Sequence, residues 1–470
     1  MASRSCDLLV IGAGPGGYVA AIRAGQLGKK VILVERDRLG GECLNYGCIP
    51  SKALIHVATL KHKLEKAGEM GLSASGLTVD MAKLQAWKSG VVEKLTGGIA
   101  TLCKGNNVEV VFGEARFTGP HSVAVKTHDG EEAFEAANVI VAVGGRPVDL
   151  PAFRFDRTRV LSTKESLELT AVPKELLVIG GGVSGLEMGT FYAKLGSRVT
   201  VVELLDRLLP GVPGVDDDVV RVLLRSLKKL GMVVHVKSQA KALELRGDKL
   251  LVKGETPDGP IEVLCDKVLV AVGRKANTDD LGLSAVGVTT DNRGHIPTDH
   301  QMRSNVPHVL AIGDVRGPPY LAHKASREGI VAAEVACGLP SAFDNKAMPA
   351  AIFTDPEIAT VGLTEEEATA KGLNVKVGKV PLAAIGRTLT AGELDGFAKL
   401  IVDAASGRVL GAQVIGPEAS NVISELSLAI EMGAIAEDIA LTIHPHPTFP
   451  EGILEAAEAA LGKAIHILNK

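Results

Sequence analysis

Short runs of consecutive apolar residues recur along the chain, and most are followed by glycine. Runs of this kind are typical of strands that are buried on both faces of a parallel sheet. Apolar positions at helical intervals follow two of them, from 18 to 27 and again up to 195. The alternation predicts α/β units. The predicted buried strands are 7–11, 31–34, 138–143, 176–179, 199–202, 267–272 and 308–312.

The remaining stretches have other patterns. Residues 54–104 have largely helical periodicity, and 108–125 and 242–264 predict strand hairpins. After residue 348 the pattern predicts an α+β domain, and Thr364 with Glu367 matches a capping box at a helix start. The predicted elements of that domain are strands 350–353, 398–402 and 409–415 and helices 423–432 and 455–468.

Composition narrows the class of protein. A chain of 470 residues with 46% hydrophobic residues is too long for one core and predicts about three domains. The net charge of -4 gives no reason to expect a nucleic acid or membrane partner. No apolar run reaches transmembrane length, and the first run is broken by glycines, unlike a signal peptide. We therefore expect a cytoplasmic protein, or one of the mitochondrial matrix if a eukaryotic targeting segment has been removed.

Two stretches have the strand, glycine turn, helix, strand and acid order of a dinucleotide-binding unit. The glycines permit a tight turn and a close approach of the backbone to a pyrophosphate, and the acid accepts hydrogen bonds from a ribose. Two such units indicate two dinucleotides or an internal duplication; one functional unit and one relic is the weaker alternative. The two sets are Gly12, Gly14, Gly17 and Glu35, and Gly180, Gly182, Gly185 and Glu203.

A later strand, 308–312, ends in Gly313 and Asp314. A carboxylate at the C-terminal edge of a parallel sheet is well placed to bind the hydroxyl groups of a cofactor.

Cys43 and Cys48 are the candidate reactive thiols. In a regular helix their Cα atoms would lie about 8–9 Å apart, and a disulfide needs less than about 7 Å. A bridge therefore requires a distorted segment, which Gly47 and Pro50 favour, and Lys52 would favour a thiolate. Two alternatives remain open: a pair of buried inert thiols, or a zinc site, although His56 and His62 do not have a common zinc spacing. We predict no metal.

Near the C-terminus, two histidines lie among three prolines in a stiff loop, 444–451. A single histidine is most often a structural residue. His446 with Glu451 nevertheless suits an oriented acid/base dyad.

The stretch 40–52, Gly-Gly-Glu-Cys-Leu-Asn-Tyr-Gly-Cys-Ile-Pro-Ser-Lys, resembles the active-site segment of the disulfide-dependent flavoprotein reductases, the pyridine nucleotide-disulfide oxidoreductase family. The motifs at 313–314, 320–324 and 446–448 extend the resemblance over essentially the whole chain. The resemblance implies an FAD domain from 1–147 and 272–347, an NAD domain from 148–271, and a C-terminal dimerisation domain from 348–470. The implied fold is α/β, with two Rossmann-like domains followed by an α+β domain.

The resemblance also implies roles for individual residues. Cys43 would be the interchange thiol, and Cys48 would lie against the flavin as the charge-transfer thiolate. Lys52 would lie near the flavin, paired with Glu187. His446, oriented by Glu451, would act as the base in the site of the partner subunit. Further cofactor contacts are implied for Arg36, Gly41, Ala115, Val143, Gly144, Asp314, Leu321, Ala322, His323 and Gly273.

The motif combination is most similar to the branch of this family that oxidises protein-bound dihydrolipoamide to lipoamide and reduces NAD. It implies a homodimer that serves a lipoyl-bearing acyltransferase of a 2-oxoacid dehydrogenase complex, or a lipoyl carrier protein of the glycine-cleavage system.

Three rival interpretations are weaker. A glutathione reductase usually uses NADP and would have basic residues after the second ribose-binding strand, where this chain has Glu203. A mercuric ion reductase would have a C-terminal cysteine pair, but no cysteine follows Cys337. A passive flavin-binding subunit would not need the cysteine pair. Four departures from the usual family motifs are Glu42, Tyr46, Gly145 and Ala276.

Overall fold

The computed structural model describes residues 3–469 of the chain. The N-terminal segment forms a sheet in which β3, β2, β1 and β6 run parallel, extended by the antiparallel strands β5 and β4. Leu9 and Ile11 of β1 enter one core, and Leu8 and Val10 enter the core on the opposite face, which explains the unbroken apolar run. The elements are β1 (Arg4–Ile11), α1 (Pro15–Gln26), β2 (Val31–Glu35), α2 (Gly41–Tyr46), α3 (Cys48–Lys66), α4 (Met81–Gly105), β3 (Val108–Phe112), β4 (Glu114–Phe117), β5 (Ser122–Thr127), β6 (Gly130–Val141) and β7 (Gly145–Pro147).

The second segment repeats this plan. Its parallel sheet has the order β11-β10-β9-β15-β8, and the antiparallel strands β12, β13 and β14 form a separate sheet. Leu176 and Val178 of β9 again enter a different core from Leu177 and Ile179. The elements are β8 (Val160–Leu161), α5 (Thr163–Ser166), β9 (Glu175–Ile179), α6 (Val183–Lys194), β10 (Arg198–Val202), α7 (Asp217–Lys229), β11 (Val233–His235), β12 (Gln239–Arg246), β13 (Lys249–Thr256), β14 (Gly259–Cys265) and β15 (Lys267–Val270).

The third segment returns to the first sheet. β16 pairs with β7 at the crossing between the two parallel sheets, and β17 pairs in parallel with β6. α9 packs closely on α1: a Cβ on Gly329 would lie 2.4 Å from the carbonyl oxygen of Gly16. The elements are β16 (Arg274–Ala276), α8 (Leu283–Val286), β17 (Val309–Ala311) and α9 (Ala322–Ala336).

The C-terminal segment is an antiparallel sheet of order β18-β19-β22-β21-β20 that packs against α12, α13 and α14. This is the predicted α+β region, and the architecture as a whole confirms the predicted fold class. The elements are β18 (Ala350–Ile352), β19 (Ile358–Gly362), α10 (Glu365–Ala370), β20 (Val375–Pro381), α11 (Gly386–Ala391), β21 (Phe397–Asp403), β22 (Val409–Ile415), α12 (Ala419–Met432), α13 (Ala436–Leu441) and α14 (Glu451–Ala460).

The local predictions were mostly right, with three corrections. β3 joins the parallel sheet beside β2, so 108–125 is not a single hairpin, and 242–264 belongs to a three-stranded sheet. The last helix ends at Ala460, not near 468, because Gly462 follows in a left-handed conformation with φ +70°. The capping box at Thr364 and Glu367 is present. The four domain bounds stay a prediction.

No helix within residues 3–469 combines the length and the apolar character needed to cross a bilayer.

A buried ion cluster joins the second segment to the C-terminal sheet. The side chain of Lys399 on β21 is 3% exposed, and its Nζ lies 2.6 Å from Asp216 Oδ2 and 3.0 Å from Asp218 Oδ1. Lys379 also contacts Asp218, but its side chain is 41% exposed. Because a buried charge without a partner is costly, Lys399 is the member on which this junction depends most.

We expect Lys399→Met to destabilise β21 and β22 by about 3–5 kcal/mol, since it leaves two carboxylates without their buried partner. Lys379→Met, the control, should cost less than about 1 kcal/mol because the Lys379 side chain is 41% exposed and Asp218 keeps its contact with Lys399. Native-state hydrogen exchange of the β21 and β22 amides measures both values. Equal effects of the two substitutions would contradict the importance of the buried cation.

Candidate active site

A break between two helices brings the candidate thiols together. α2 ends at Tyr46 and α3 begins at Cys48, so that only Gly47 separates them. A Cβ on Gly47 would lie 3.3 Å from the Cα of Cys43, which leaves little room for a side chain at the break. The Sγ atoms of Cys43 and Cys48 lie 2.6 Å apart. The predicted distortion is therefore present, but it is centred on Gly47, and Pro50 lies in the first turn of α3.

The two thiols differ in acidity. A hydrogen bond from the Cys43 thiol lowers the pKa of Cys48, and the positive charge of Lys52 adds to this effect against the cost of burial. The same hydrogen bond and burial raise the pKa of Cys43. Of the two thiols, Cys48 is therefore the one whose ionised form the site favours. This asymmetry does not fit two inert thiols, and within residues 3–469 no group of three or more His, Cys, Asp or Glu side chains is placed to hold a metal ion.

Lys52 lies one turn after Cys48 and is held by a residue of the second glycine unit. Its Nζ donates to both carboxylate oxygens of Glu187 on α6, at 2.9 and 2.8 Å. The backbone N–H of Phe353 also donates to Glu187, and Lys52 Nζ lies 4.6 Å from the centre of the Phe353 ring. The predicted pairing of Lys52 with Glu187 is present, and it fixes a cation beside the thiols.

The two glycine turns have the same geometry. Gly12 and Gly180 have φ of +99° and +110°, and a Cβ on either would lie 2.4 Å from the carbonyl oxygen of the residue that follows a neighbouring strand, Ala142 or Ala271. Gly17 and Gly185 lie against the carbonyls of Gly12 and Gly180, where a Cβ would be 1.8 and 2.3 Å away. These third glycines allow the helix to pack against the turn.

The acids of the two units also correspond. Glu35 accepts hydrogen bonds from the backbone N–H of Ala13, at 2.7 Å, and of Asp37, at 2.8 Å. Glu203 accepts equivalent bonds from Gly181, at 2.6 Å, and from Leu205, at 2.7 Å. Each carboxylate is thus fixed beside its glycine turn. An ionised carboxylate has about four acceptor positions, so each retains capacity for ribose hydroxyls.

One cavity of about 2310 Å³ joins most of the predicted residues. The lining of this cavity does not include Gly17, Gly185, His446 or Glu451. The cofactor contacts of Gly17 and Gly185 stay a prediction, and both glycines pack closely against the first glycine of their turn. The predicted residues that line the cavity are Gly12, Gly14, Glu35, Arg36, Gly41, Cys43, Cys48, Lys52, Ala115, Val143, Gly144, Gly180, Gly182, Glu187, Glu203, Gly273, Asp314, Leu321, Ala322 and His323.

The cavity fits two dinucleotides. Pockets for single small ligands are about 300–1,000 Å³, and this one is more than twice that size. A Cβ on Gly14 or Gly182 would meet no atom within 4 Å, so the backbone at each turn is open to an approaching pyrophosphate. The cysteine pair and Lys52 line the same cavity as both turns, so reacting groups and dinucleotide sites share one space.

Arg274 is a central residue that the sequence analysis did not select. Its Nε donates to Asp314 Oδ2 at 3.0 Å, its Nη1 donates to Glu42 Oε1 at 2.9 Å, and its Nη2 donates to Glu42 Oε2 and, at 2.8 Å, to the Gly145 carbonyl. A signal was available in the sequence: the predicted strands 138–143 and 267–272 are each followed by a Gly-Arg pair, Gly145-Arg146 and Gly273-Arg274.

The histidine loop lies outside the cavity. His446 Nδ1 lies 2.8 Å from Glu451 Oε1, and the His446 side chain is 76% exposed. His444 instead pairs with Glu425 at 2.9 Å, and its side chain is buried. The predicted dyad is therefore present, with its Nε2 edge available to a group outside this chain.

The chain matches two family models. Residues 6–329 match the pyridine nucleotide-disulphide oxidoreductase model, and residues 348–457 match the dimerisation domain of the same family. The second match supports a homodimer.

Similar proteins cover the chain from end to end. It is 51% identical to the dihydrolipoyl dehydrogenase of Haloferax volcanii over 99% of this chain and 98% of the relative. It is 49% identical to that of Geobacillus stearothermophilus, with coverages of 99% and 98%. Among solved structures, LpdA of Mycobacterium tuberculosis superposes with a TM-score of 0.89 at 28% identity, over 96% of this chain and 99% of that one.

The Lys52–Glu187 pair should tune the acidity of Cys48. We expect Lys52→Met to raise the pKa of Cys48 because the stabilising cation is lost, and Glu187→Gln to lower it because a nearby negative charge is removed. The thiolate absorbance of the reduced protein, titrated against pH, measures both changes, with Cys48→Ser as the baseline. Lys63→Met, further along α3 and paired with Glu393, is the matched control and should leave the titration unchanged.

Proposed function

Because the chain belongs to the pyridine nucleotide-disulphide oxidoreductase family, we propose that it oxidises dihydrolipoamide to lipoamide through its cysteine pair and reduces NAD. The observation that carries this proposal is the Cys43–Cys48 pair beside Lys52, in one cavity with two glycine turns. A thiol pair of unequal acidity suits exchange with a dithiol substrate, and the two turns suit the two dinucleotides.

The cofactors are FAD and NAD. We assign FAD to the glycine unit that ends at Glu35, together with Asp314, and NAD to the unit that ends at Glu203. The corresponding domains are 1–147 with 272–347 for FAD and 148–271 for NAD. Bound FAD and NAD supply the hydride chemistry that amino-acid side chains cannot perform. The two glycine turns would hold these groups, while the hydrogen bond from Cys43 and the charge of Lys52 lower the pKa of Cys48.

The protein's own chemistry is thiol–disulfide exchange. In the oxidised enzyme a disulfide joins Cys43 and Cys48, and a substrate thiolate attacks the Sγ of Cys43. The bond between the cysteines breaks, and Cys48 leaves as the thiolate that Lys52 stabilises. The second substrate thiol then attacks the mixed disulfide, which closes lipoamide and releases Cys43. The low pKa of Cys48 favours the first step because a stabilised thiolate leaves faster.

We assign the proton transfer to His446 of the partner subunit. The residue lies outside the cavity of its own chain, on an exposed loop next to Ile443, which is 94% exposed. Its Nδ1 is held by Glu451, so Nε2 is the nitrogen that takes the substrate proton. The hydrogen bond from His446 lowers the pKa of Glu451 despite the opposing effect of burial, which keeps the orienting carboxylate ionised.

The macromolecular partner in this proposal is a lipoyl-bearing protein, either the acyltransferase of a 2-oxoacid dehydrogenase complex or a lipoyl carrier protein. Both present the dithiol on a swinging side chain that can reach a disulfide at the wall of a cavity.

A steady-state assay with free dihydrolipoamide and NAD tests the function. We expect turnover that both Cys43→Ser and Cys48→Ser abolish, because each removes one half of the disulfide. Efficient reduction of glutathione disulfide by NADPH, without oxidation of dihydrolipoamide, would assign the chain to another reductase of the family.

His446→Gln should reduce kcat by about 10²–10⁴-fold, the usual contribution of a general base, while the flavin content stays unchanged. His444→Gln is the control and should reduce kcat much less, since the His444 side chain is buried and bonded to Glu425.

A hybrid dimer tests whether the base acts across the interface. In a dimer of one Cys43→Ser subunit and one His446→Gln subunit, one of the two sites keeps both groups only if His446 serves the partner. We expect about half of the wild-type activity per hybrid dimer. An inactive hybrid would show that His446 acts within its own subunit.

Glu203 should set the preference for NAD over NADP. The 2′-phosphate of NADP would face the fixed Glu203 carboxylate, and Arg207 cannot offset it readily because it is bonded to Asp217 and the Val215 carbonyl. We expect kcat/KM to favour NAD by at least about 100-fold, roughly 2.7 kcal/mol. Glu203→Gln keeps an oxygen acceptor for Gly181 but removes the charge, and it should reduce the preference to below about 10-fold. Comparable wild-type rates with both nucleotides would refute the assignment.

A further inference from the structure

Asp314 has one oxygen held by the protein and one that is not. Its Oδ2 accepts from Arg274 Nε, whereas no hydrogen bond from residues 3–469 reaches Oδ1. The residue follows β17 and lines the large cavity. This arrangement is suited to a carboxylate that accepts a cofactor hydroxyl on one oxygen while its orientation is fixed through the other.

The arginine that fixes Asp314 is itself fixed by Glu42. The two Glu42 oxygens accept from the two terminal nitrogens of Arg274, in a bidentate contact that restrains the plane of the guanidinium. A bond to the Gly145 carbonyl completes the set, so that four oxygens from three segments of the chain hold one guanidinium. Glu42 lies next to Cys43 on α2 and is 232 residues away from Arg274 in the sequence.

Arg274 also neutralises the negative charges of Glu42 and Asp314. Glu42 and Asp314 both line the cavity that is to accept a pyrophosphate, and burial together with the charge of Glu42 disfavours the ionised form of Asp314. Arg274 is the cation that both carboxylates contact directly. Without it, two negative charges would face each other in the cavity and would repel an anionic cofactor.

We propose that Glu42 is a positioning residue for FAD: it holds Arg274, which in turn aims the free oxygen of Asp314 into the cavity. Retention of FAD therefore depends on a side chain of the helix that carries Cys43. The proposal rests on the assignment of Asp314 to FAD and is independent of which dithiol or disulfide the enzyme uses as its substrate.

The contacts from Glu42 through Arg274 to Asp314 are tested by the rate at which the holoenzyme releases FAD. Flavin fluorescence after dilution measures this rate. We expect Arg274→Met to accelerate release by at least about 10-fold, equal to ~1.4 kcal/mol, and Glu42→Gln to accelerate it by a smaller factor. In the double variant Glu42→Gln/Arg274→Met, release should be no faster than in Arg274→Met alone, because Glu42 positions Asp314 through the arginine and its own negative charge is also removed. Lys275→Met, one residue further along β16 and bonded to Asp279, is the control and should leave the rate unchanged.

Three results would overturn the proposal. Slower release in Glu42→Gln would mean that Glu42 withholds Arg274 from a direct contact with FAD. The same acceleration by Glu42→Gln in both backgrounds would mean that Glu42 acts independently of Arg274. Far-UV circular dichroism of the same samples detects unfolding. If secondary structure is lost at the same rate as FAD, the Glu42–Arg274 contact stabilises the fold and does not position FAD. None of these readouts uses dihydrolipoamide, so a failure here is distinguishable from a failure of the proposed reaction.

Discussion

The break at Gly47 is the constraint on which the rest of the site depends. A continuous helix would keep Cys43 and Cys48 too far apart to react with each other. Ending one helix at Tyr46 and starting another at Cys48 brings the sulfur atoms to 2.6 Å. α3 can then present Lys52 to Glu187 of the second unit, while α2 presents Glu42 to Arg274. A single backbone irregularity thus positions the thiols and both ionic contacts that surround them.

The chain uses one α/β unit twice, and the two copies have become unequal. The glycine turns and the bonds of Glu35 and Glu203 are nearly superposable in their distances. The first copy is followed by the redox-active segment, whereas the helix of the second copy supplies Glu187 to that segment. The second unit is inserted between β7 and β16. This position explains how its helix α6 reaches the cysteines while its glycine turn faces the shared cavity.

Much of this could be predicted because the determining signals are local. Apolar runs before glycines gave both parallel sheets, and Thr364 with Glu367 gave a helix start. The partner of a strand is not a local property, so periodicity alone could not show that β3 lies beside β2. Arg274 was missed for a related reason: the repeated Gly-Arg pair does not show what the arginine binds, because its partners lie 40, 129 and 232 residues away in the sequence. The end of α14 had a local signal, Gly462, that the apolar periodicity outweighed.

The four other cysteines give the chain a chemical selectivity. Burial raises the pKa of Cys6 to about 11 and of Cys265 to about 12, and it also raises the pKa values of Cys103 and Cys337. Oxidants and electrophiles attack thiolates, so these four sulfurs remain unreactive at neutral pH. Peroxide or an alkylating agent therefore reacts at the Cys43–Cys48 pair of the reduced protein, and overoxidation of that pair to a sulfinic acid would inactivate the enzyme at a single site. The same property makes the reduced protein suitable for site-selective labelling without removal of any native cysteine.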